Sequence, residues 1–286
     1  MDDPGTGGGF SARVAAAVAG SGPLCAGIDP SAALLEQWGL TDDARGVRSF
    51  GMRCVEAFAG VVPVVKPQVA FFERCGSAGM AALESVLESA REAGLIVIAD
   101  AKRADIDTTM EAYASAWLDP RSPFCADAVT AVPYLGLGAL QPMFDLAGAH
   151  GRGVMVVARS SNPEGRALQQ AVTASGSGPS VEDMVLHEIA ALNHGSALPA
   201  GTVGAVVGAT LQPSQFRLAE LGGTILAPGV GAQGATAHAV AALFAGCPPG
   251  MVLASVSRSV LCAGPTVTAL TTAATRALEE MAEALA

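Results

Sequence analysis

Short apolar runs recur along the chain and alternate with stretches whose apolar residues return every three or four positions. Eight runs read as strands: PLCAGID (23–29), VVPVVKPQ (61–68), LIVIADA (95–101), DAVTAVP (127–133), GVMVVAR (153–159), VGAVVGA (203–209), TILAPG (224–229) and VLASVSR (252–258). Each is short, rich in β-branched residues and followed by a polar or Gly/Pro turn, the pattern of buried parallel strands. Helical spacing predicts helices over 82–94, 109–118, 180–194, 235–246 and 266–285, and an extra helix near 11–20 precedes the first strand. Eight β-then-α units predict a (β/α)8 TIM barrel in α/β class; an open doubly wound sheet is the runner-up. No repeat or linker divides the chain, so residues 1–286 read as one domain, with the acidic, Gly-rich residues 1–9 as a flexible tail. The segment 162–180 is too long for a βα connection and ends Gly/Ser-rich. It reads as a long, partly helical loop after the fifth strand, on the active-site side.

Composition narrows the function. The hydrophobic fraction is 51% and the aromatic fraction 5%, which suits a core of small branched side chains. The formal net charge is −10 and no Lys/Arg-rich run occurs, so a nucleic-acid partner is excluded on electrostatic grounds. An anionic ligand would need a positive pocket built locally. No apolar run approaches the ~20 residues that span a bilayer. The opening MDDPGTGGGF lacks the positive and apolar regions of a signal peptide. Cys25, Cys54, Cys75, Cys125, Cys247 and Cys262 are scattered without ligand spacing, which reads as reduced, buried thiols. Together these features predict a cytoplasmic protein without membrane contact.

Charge is concentrated where the strands end. Only 15% of the chain is charged, yet Asp100, Lys102, Arg103, Asp105 and Asp107 crowd into eight positions directly after LIVIA. At a barrel's C-terminal face, strand ends carry the chemistry. There the chain places Asp29, Lys66, Asp100 and Lys102, with Asp105 just beyond, then Ser160 and Ser161, Pro228 and Gly229, Gln233 and Arg258. Asp100 and Lys102 are two apart, which on a strand puts both on one face. A carboxylate beside a lysine keeps it protonated and able to act as a general acid. Arg103 and Asp107 read as the solvated members of the cluster. GVGAQG (229–234) fits G-x-G-x-x-G, but no acid follows between Glu220 and Glu279 to hold a ribose. It reads instead as a loop that cradles a phosphate, with Arg258 supplying fixed positive charge. The four histidines fall in or beside predicted helices and read as packing or surface residues. No zinc spacing and no G-x-S-x-G elbow occurs.

The motifs then resemble one family. DAKRADIDTT is similar to the D-x-K-x-x-D-I-x-x-T signature of orotidine 5′-phosphate decarboxylase, and KPQVAFFE (66–73) to the second-lysine loop of its actinobacterial branch. SSNPEG (160–165), LAPGVGAQGA (226–235) and SVSRSVL (255–261) resemble its later motifs, in family order. The resemblance implies cofactor-free, metal-free decarboxylation of orotidine 5′-phosphate to UMP in pyrimidine biosynthesis. It implies a charged tetrad of Lys66, Asp100, Lys102 and Asp105, with Lys102 as proton donor to C6. It implies that Asp29 binds the ribose hydroxyls and Ser161 the pyrimidine ring. Gln233 and Arg258, with backbone around Pro228 to Gly231, would hold the phosphate, and Ile106 and Thr109 would complete the substrate contacts. In the family, Asp105 and Thr109 reach into the partner's site, which implies a homodimer. Ser257 stands where many members have Gly. The rival readings are a Mg2+-dependent sugar-phosphate decarboxylase or aldolase of the same superfamily, and a non-catalytic phosphate-ligand-binding barrel.

Overall fold

The computed structural model describes residues 9–173, 178–212, 216–231 and 234–285. Of the expected tail only Gly9 is among them, and its carbonyl accepts from the Ala12 and Arg13 amides at 3.0 and 3.2 Å. The chain runs α1 (Phe10–Ser21), β1 (Leu24–Ile28), α2 (Ala32–Gln37), α3 (Ala44–Phe58), β2 (Val64–Pro67), α4 (Ala70–Glu73) and α5 (Gly76–Glu92). It continues through β3 (Ile96–Arg103), α6 (Asp107–Leu118), β4 (Ala128–Ala131), α7 (Gln141–Ala149), β5 (Gly153–Arg159), α8 (Arg166–Gln169) and α9 (Val181–His194). The last elements are β6 (Val203–Val207), β7 (Ile225–Pro228), α10 (Ala237–Leu243), β8 (Val252–Val256), α11 (Arg258–Leu261) and α12 (Val267–Ala284).

The eight strands pair in parallel, in sequence order, and β8 closes on β1. This is the single-domain (β/α)8 barrel that the strand count predicts. Each strand falls where its apolar run does, and β3 extends two residues further, through Arg103. Sequence spacing missed α3 and α7. In α3 the buried residues Val47, Phe50, Cys54, Val55 and Phe58 keep helical spacing, but Arg45, Arg48 and Arg53 interleave with them and mask the stripe. The helix starts on Asp43, whose carboxylate accepts from the Gly46 amide at 2.9 Å. The eightfold rhythm is also incomplete. Among the described residues, β6 is followed only by a 3-10 turn at Leu218–Glu220 before β7.

Two apolar layers hold the barrel. Outward strand residues pack against the helices. Inward residues Cys25, Val64, Ile98, Met155 and Leu253 form a second cluster, which Phe10 and Val14 of α1 complete. The extra N-terminal helix therefore plugs the barrel floor. Ser11 Oγ donates to the Gly201 carbonyl at 2.7 Å and Arg13 pairs with Asp127 at 2.8 Å, both at the starts of strands. The opposite end, where the strands finish, is left to polar side chains.

Of the long segment after β5, residues 162–173 and 178–180 are described. It forms a 3-10 turn at Pro163–Gly165 and then α8, and a bridge between Val172 and Ser180 closes it. All six cysteines are free, but the expectation that they are buried holds for Cys25, Cys54 and Cys125 alone: Cys75 and Cys247 are half-buried and Cys262 is exposed. Among the described residues, no helix is long and apolar enough to cross a membrane.

Candidate active site

The ends of the strands surround a cleft of about 300 Å3. At its base Asp100 lies between two ammonium groups. Lys66 Nζ donates to Asp100 Oδ2 at 2.8 Å, and Lys102 Nζ donates to Oδ1 at 2.5 Å. Lys66 and Asp100 are buried, whereas the Lys102 side chain is 47% exposed and reaches into the open cleft. Burial opposes the charge on Asp100, but Lys66 and Lys102 outweigh it and hold the carboxyl well below its ordinary range. Burial likewise opposes the charge on Lys66. Asp100 and Asp29 outweigh it and push that ammonium above its ordinary value.

The expected strand alternation does not by itself bring Asp100 and Lys102 together. Lys102 has φ 49°, and the pairing of β3 with β4 shifts register between Ala99 and Arg103. A non-glycine residue in this left-handed region carries strain of about 1–3 kcal/mol, sustained by its surroundings. Thr130 on β4 supplies part of that support. Its hydroxyl accepts from the Lys102 amide at 2.9 Å and donates to Asp100 Oδ1 at 2.9 Å. Sequence reasoning missed Thr130. The available signal was one hydroxyl inside an otherwise apolar strand run.

Arg103 also departs from expectation. It is not a solvated member of the cluster: it pairs with Glu73, donates to the Ala101 carbonyl at 3.0 Å and stacks over Tyr113 and Trp117. It thereby ties β3 to α4 and α6 beside the charged base.

Asp29, Ser161, Pro228 and Arg258 line the same cleft as Lys66, Asp100 and Lys102. Three of the lining side chains are cationic and two anionic, so a chain of net charge −10 builds a locally positive pocket. Arg258 opens α11 on the exposed rim. Beside it Gly229 and Gly231 adopt φ 103° and 71°, and Gly229 and Val230 line the cleft where β7 ends. Gln233 lies outside the described residues. Ser161 stands two residues after the buried Arg159, whose guanidinium faces Glu182 of α9 at 3.2 Å and donates to the Gln212 carbonyl at 2.7 Å. Gln169, from the long loop, grips the neighbouring Ser160: its Nε2 donates to Oγ at 2.7 Å and its Oε1 accepts from the amide at 3.0 Å. Below Lys66, burial pushes the Cys25 thiol up to about 12, so it closes the floor as a neutral side chain.

Asp105, Ile106 and Thr109 do not line this cleft. Asp105 accepts from the Ile106 amide at 2.9 Å, and Ile106 and Thr109 are exposed on the rim beside it. One chain therefore assembles three of the four expected tetrad members. The four histidines take packing or surface roles; His187, for example, sits edge-on to Phe216. Among the described residues no cluster of His, Cys, Asp and Glu could hold a metal ion.

The comparisons with known proteins agree on one family. A family model described as "Orotidine 5'-phosphate decarboxylase / HUMPS family" matches residues 22–273. An orotidine 5′-phosphate decarboxylase of Salinispora tropica is 53% identical over 276 residues, covering 96% of this chain and 98% of the relative. One from Corynebacterium efficiens is 52% identical over 260 residues, covering 90% of this chain and 91% of the relative. A crystal structure assigned to that enzyme in Streptomyces avermitilis superposes with a TM-score of 0.91 at 47% identity, covering 100% of this chain and 99% of the other.

Proposed function

The chain belongs to the orotidine 5′-phosphate decarboxylase family and is a carboxy-lyase that converts orotidine 5′-phosphate to UMP and CO2. From that premise we propose that Lys66, Asp100 and Lys102 form its reacting centre, with Lys102 the proton donor. The observation that carries this reading is Asp100 held between two ammonium groups, one buried and one facing the cleft.

Breaking the bond from C6 to the carboxylate leaves an electron pair in an in-plane orbital that the pyrimidine ring cannot delocalise. The barrier must fall by on the order of 20 kcal/mol without an electron sink, so fixed charges have to supply the stabilisation. Asp100 lies beside the departing carboxylate, where like charge disfavours the bound ground state. As CO2 leaves, the Lys102 ammonium faces the developing carbanion and transfers its proton to C6, which completes UMP. Lys66 keeps Asp100 ionised and in register, and Thr130 fixes both Asp100 and the Lys102 backbone. Arg258, Gln233 and the backbone from Pro228 to Gly231 take the 5′-phosphate. Asp29 takes the ribose hydroxyls and Ser161 the pyrimidine edge. Binding energy from the remote phosphate positions the reacting ring.

The active unit is a homodimer in which Asp105, Ile106 and Thr109 serve the partner's site. This is supported by the position of Asp105 outside its own cleft and by the apolar rim around it. Ile106 is 52% exposed, and Tyr134 and Leu135, after the neighbouring strand, are 74% and 52% exposed. Six free cysteines support a reducing compartment, the cytoplasm. The test is the loss of ultraviolet absorbance of orotidine 5′-phosphate with chelator present. Undiminished turnover in wild type and its abolition in Lys102→Ala support the reading; near-normal turnover by Lys102→Ala overturns it. A requirement for added Mg2+ would favour the sugar-phosphate rivals.

A further inference from the structure

Ser257 follows the last residue of β8, and its side chain lines the cleft. Val256 pairs with Ala26 in the β1–β8 register, which sets Ser257 against Gly27. Only glycine permits this approach: a Cβ on Gly27 would lie 1.9 Å from Ser257 Oγ. The same point is 3.3 Å from Asp29 Oδ1. The hydroxyl of Ser257 therefore fills the space that Gly27 leaves without a side chain, and it stands beside the carboxylate of Asp29 where both residues line the cleft.

Neither group is satisfied there. Among the described residues, neither the buried Asp29 Oδ1 nor Ser257 Oγ has a hydrogen-bond partner. A buried acceptor without a donor is costly, so such an atom marks a place for a ligand group. The pair consists of a carboxylate that can only accept and a hydroxyl that can donate. A phosphate oxygen would accept from Ser257 but be repelled by Asp29. A ligand hydroxyl fits both: it donates to Asp29 and accepts from Ser257.

We propose that Ser257 is a substrate-reading residue whose hydroxyl holds, together with Asp29, one ribose hydroxyl of the nucleotide. The assignment rests on the ribose role given to Asp29 above and adds a second contact to it. Ser257 thus serves sugar recognition, while the adjacent Arg258 serves the phosphate. A site built to hydrogen-bond a substrate hydroxyl discriminates against the analogue that lacks it. Ser257 helps such a site prefer ribonucleotides to deoxyribonucleotides.

The experiment compares kcat/KM for orotidine 5′-phosphate with its 2′-deoxy and 3′-deoxy analogues, in wild type, Ser257→Ala, Ser257→Gly and Asp29→Asn. The ratio between substrates is internal to each variant, so a partly unfolded preparation does not distort it. For one of the two analogues, both Ser257 variants should lose about 5–10-fold of the wild-type discrimination, the worth of one hydrogen bond. Unchanged discrimination in both variants overturns the proposal. So does an equal loss on all three substrates, which would assign the hydroxyl to phosphate binding or packing. If Asp29→Asn abolishes discrimination and the Ser257 variants keep it, Ser257 alone is misassigned. If Asp29→Asn also keeps it, the ribose assignment itself falls.

Discussion

Asp100 concentrates the electrostatics of the molecule at one residue. Its folded value lies below that of an unfolded Asp, about 3.9. Its contribution to stability is therefore fully present above about pH 4 and is lost as pH falls further. Lys66 is shifted the other way, so its contribution is fully present below about pH 10 and is lost as pH rises through its folded value. The pair stabilises the fold across the whole neutral window. Asp100→Asn leaves the buried Lys66 without its hydrogen-bonded counter-charge, with Asp29 as the remaining nearby anion, and should cost about 3–5 kcal/mol. Denaturant unfolding should show this deficit constant from about pH 5 to 9 and shrinking below pH 4. Thr130→Val removes a partner from both Asp100 and the Lys102 amide. It should lower kcat by about tenfold or more with little change in KM, because about 1–3 kcal/mol of orientation is lost where charge develops. Steady-state kinetics would read that split.

Elements act here mainly by bringing strand ends and floors together. The β1–β8 seam depends on Gly27 lacking a side chain where Ser257 needs space. Gly27→Ala should destabilise by about 1–3 kcal/mol through overpacking, and Gly27→Ala with Ser257→Gly should recover most of that loss. Melting temperatures of the three variants would show the compensation. At the other end α1 closes the barrel with Phe10, which is fully buried. Phe10→Ala should cost about 3–5 kcal/mol in unfolding free energy while leaving KM near wild type, since it lies at the floor and not at the site. Helix α3 escaped sequence reading because its arginines break the apolar stripe. The helix after β6 was expected from rhythm alone, and among the described residues a single 3-10 turn stands in its place.

At the scale of the whole molecule, the cleft of one chain holds Lys66, Asp100 and Lys102 while Asp105 sits outside it. A shared site predicts complementation. Mixing Lys102→Ala with Asp105→Ala subunits should restore about a quarter of wild-type turnover, because half the dimers are mixed and one site in each is intact. No recovery after subunit exchange would leave Asp105 without a role across the interface. The acidic chain also predicts a salt effect that is local in origin. Its net charge of −10 repels an anionic nucleotide at long range, and the positive cleft attracts it at short range. Raising ionic strength should therefore weaken both terms and change KM modestly.

The barrel was legible because its causes are local. Eight apolar runs can be buried on both faces only as parallel strands with helices outside, and polar residues at their ends have nowhere to go but the open face. Asp29, Lys66, Asp100, Lys102 and Arg258 were visible for that reason, and the order of the motifs pointed to the family. Other features needed three dimensions. The left-handed turn at Lys102 and its brace by Thr130 depend on a register shift between β3 and β4, which periodicity does not record. The pairing of Gly27 with Ser257, 230 positions apart, arises only when β8 closes on β1. Arg103 reads as solvated by charge and is instead enclosed by Glu73, Tyr113 and Trp117 from two helices. Side-chain type and spacing follow from the chain itself, whereas a contact between distant residues exists only once the barrel has brought their strands together.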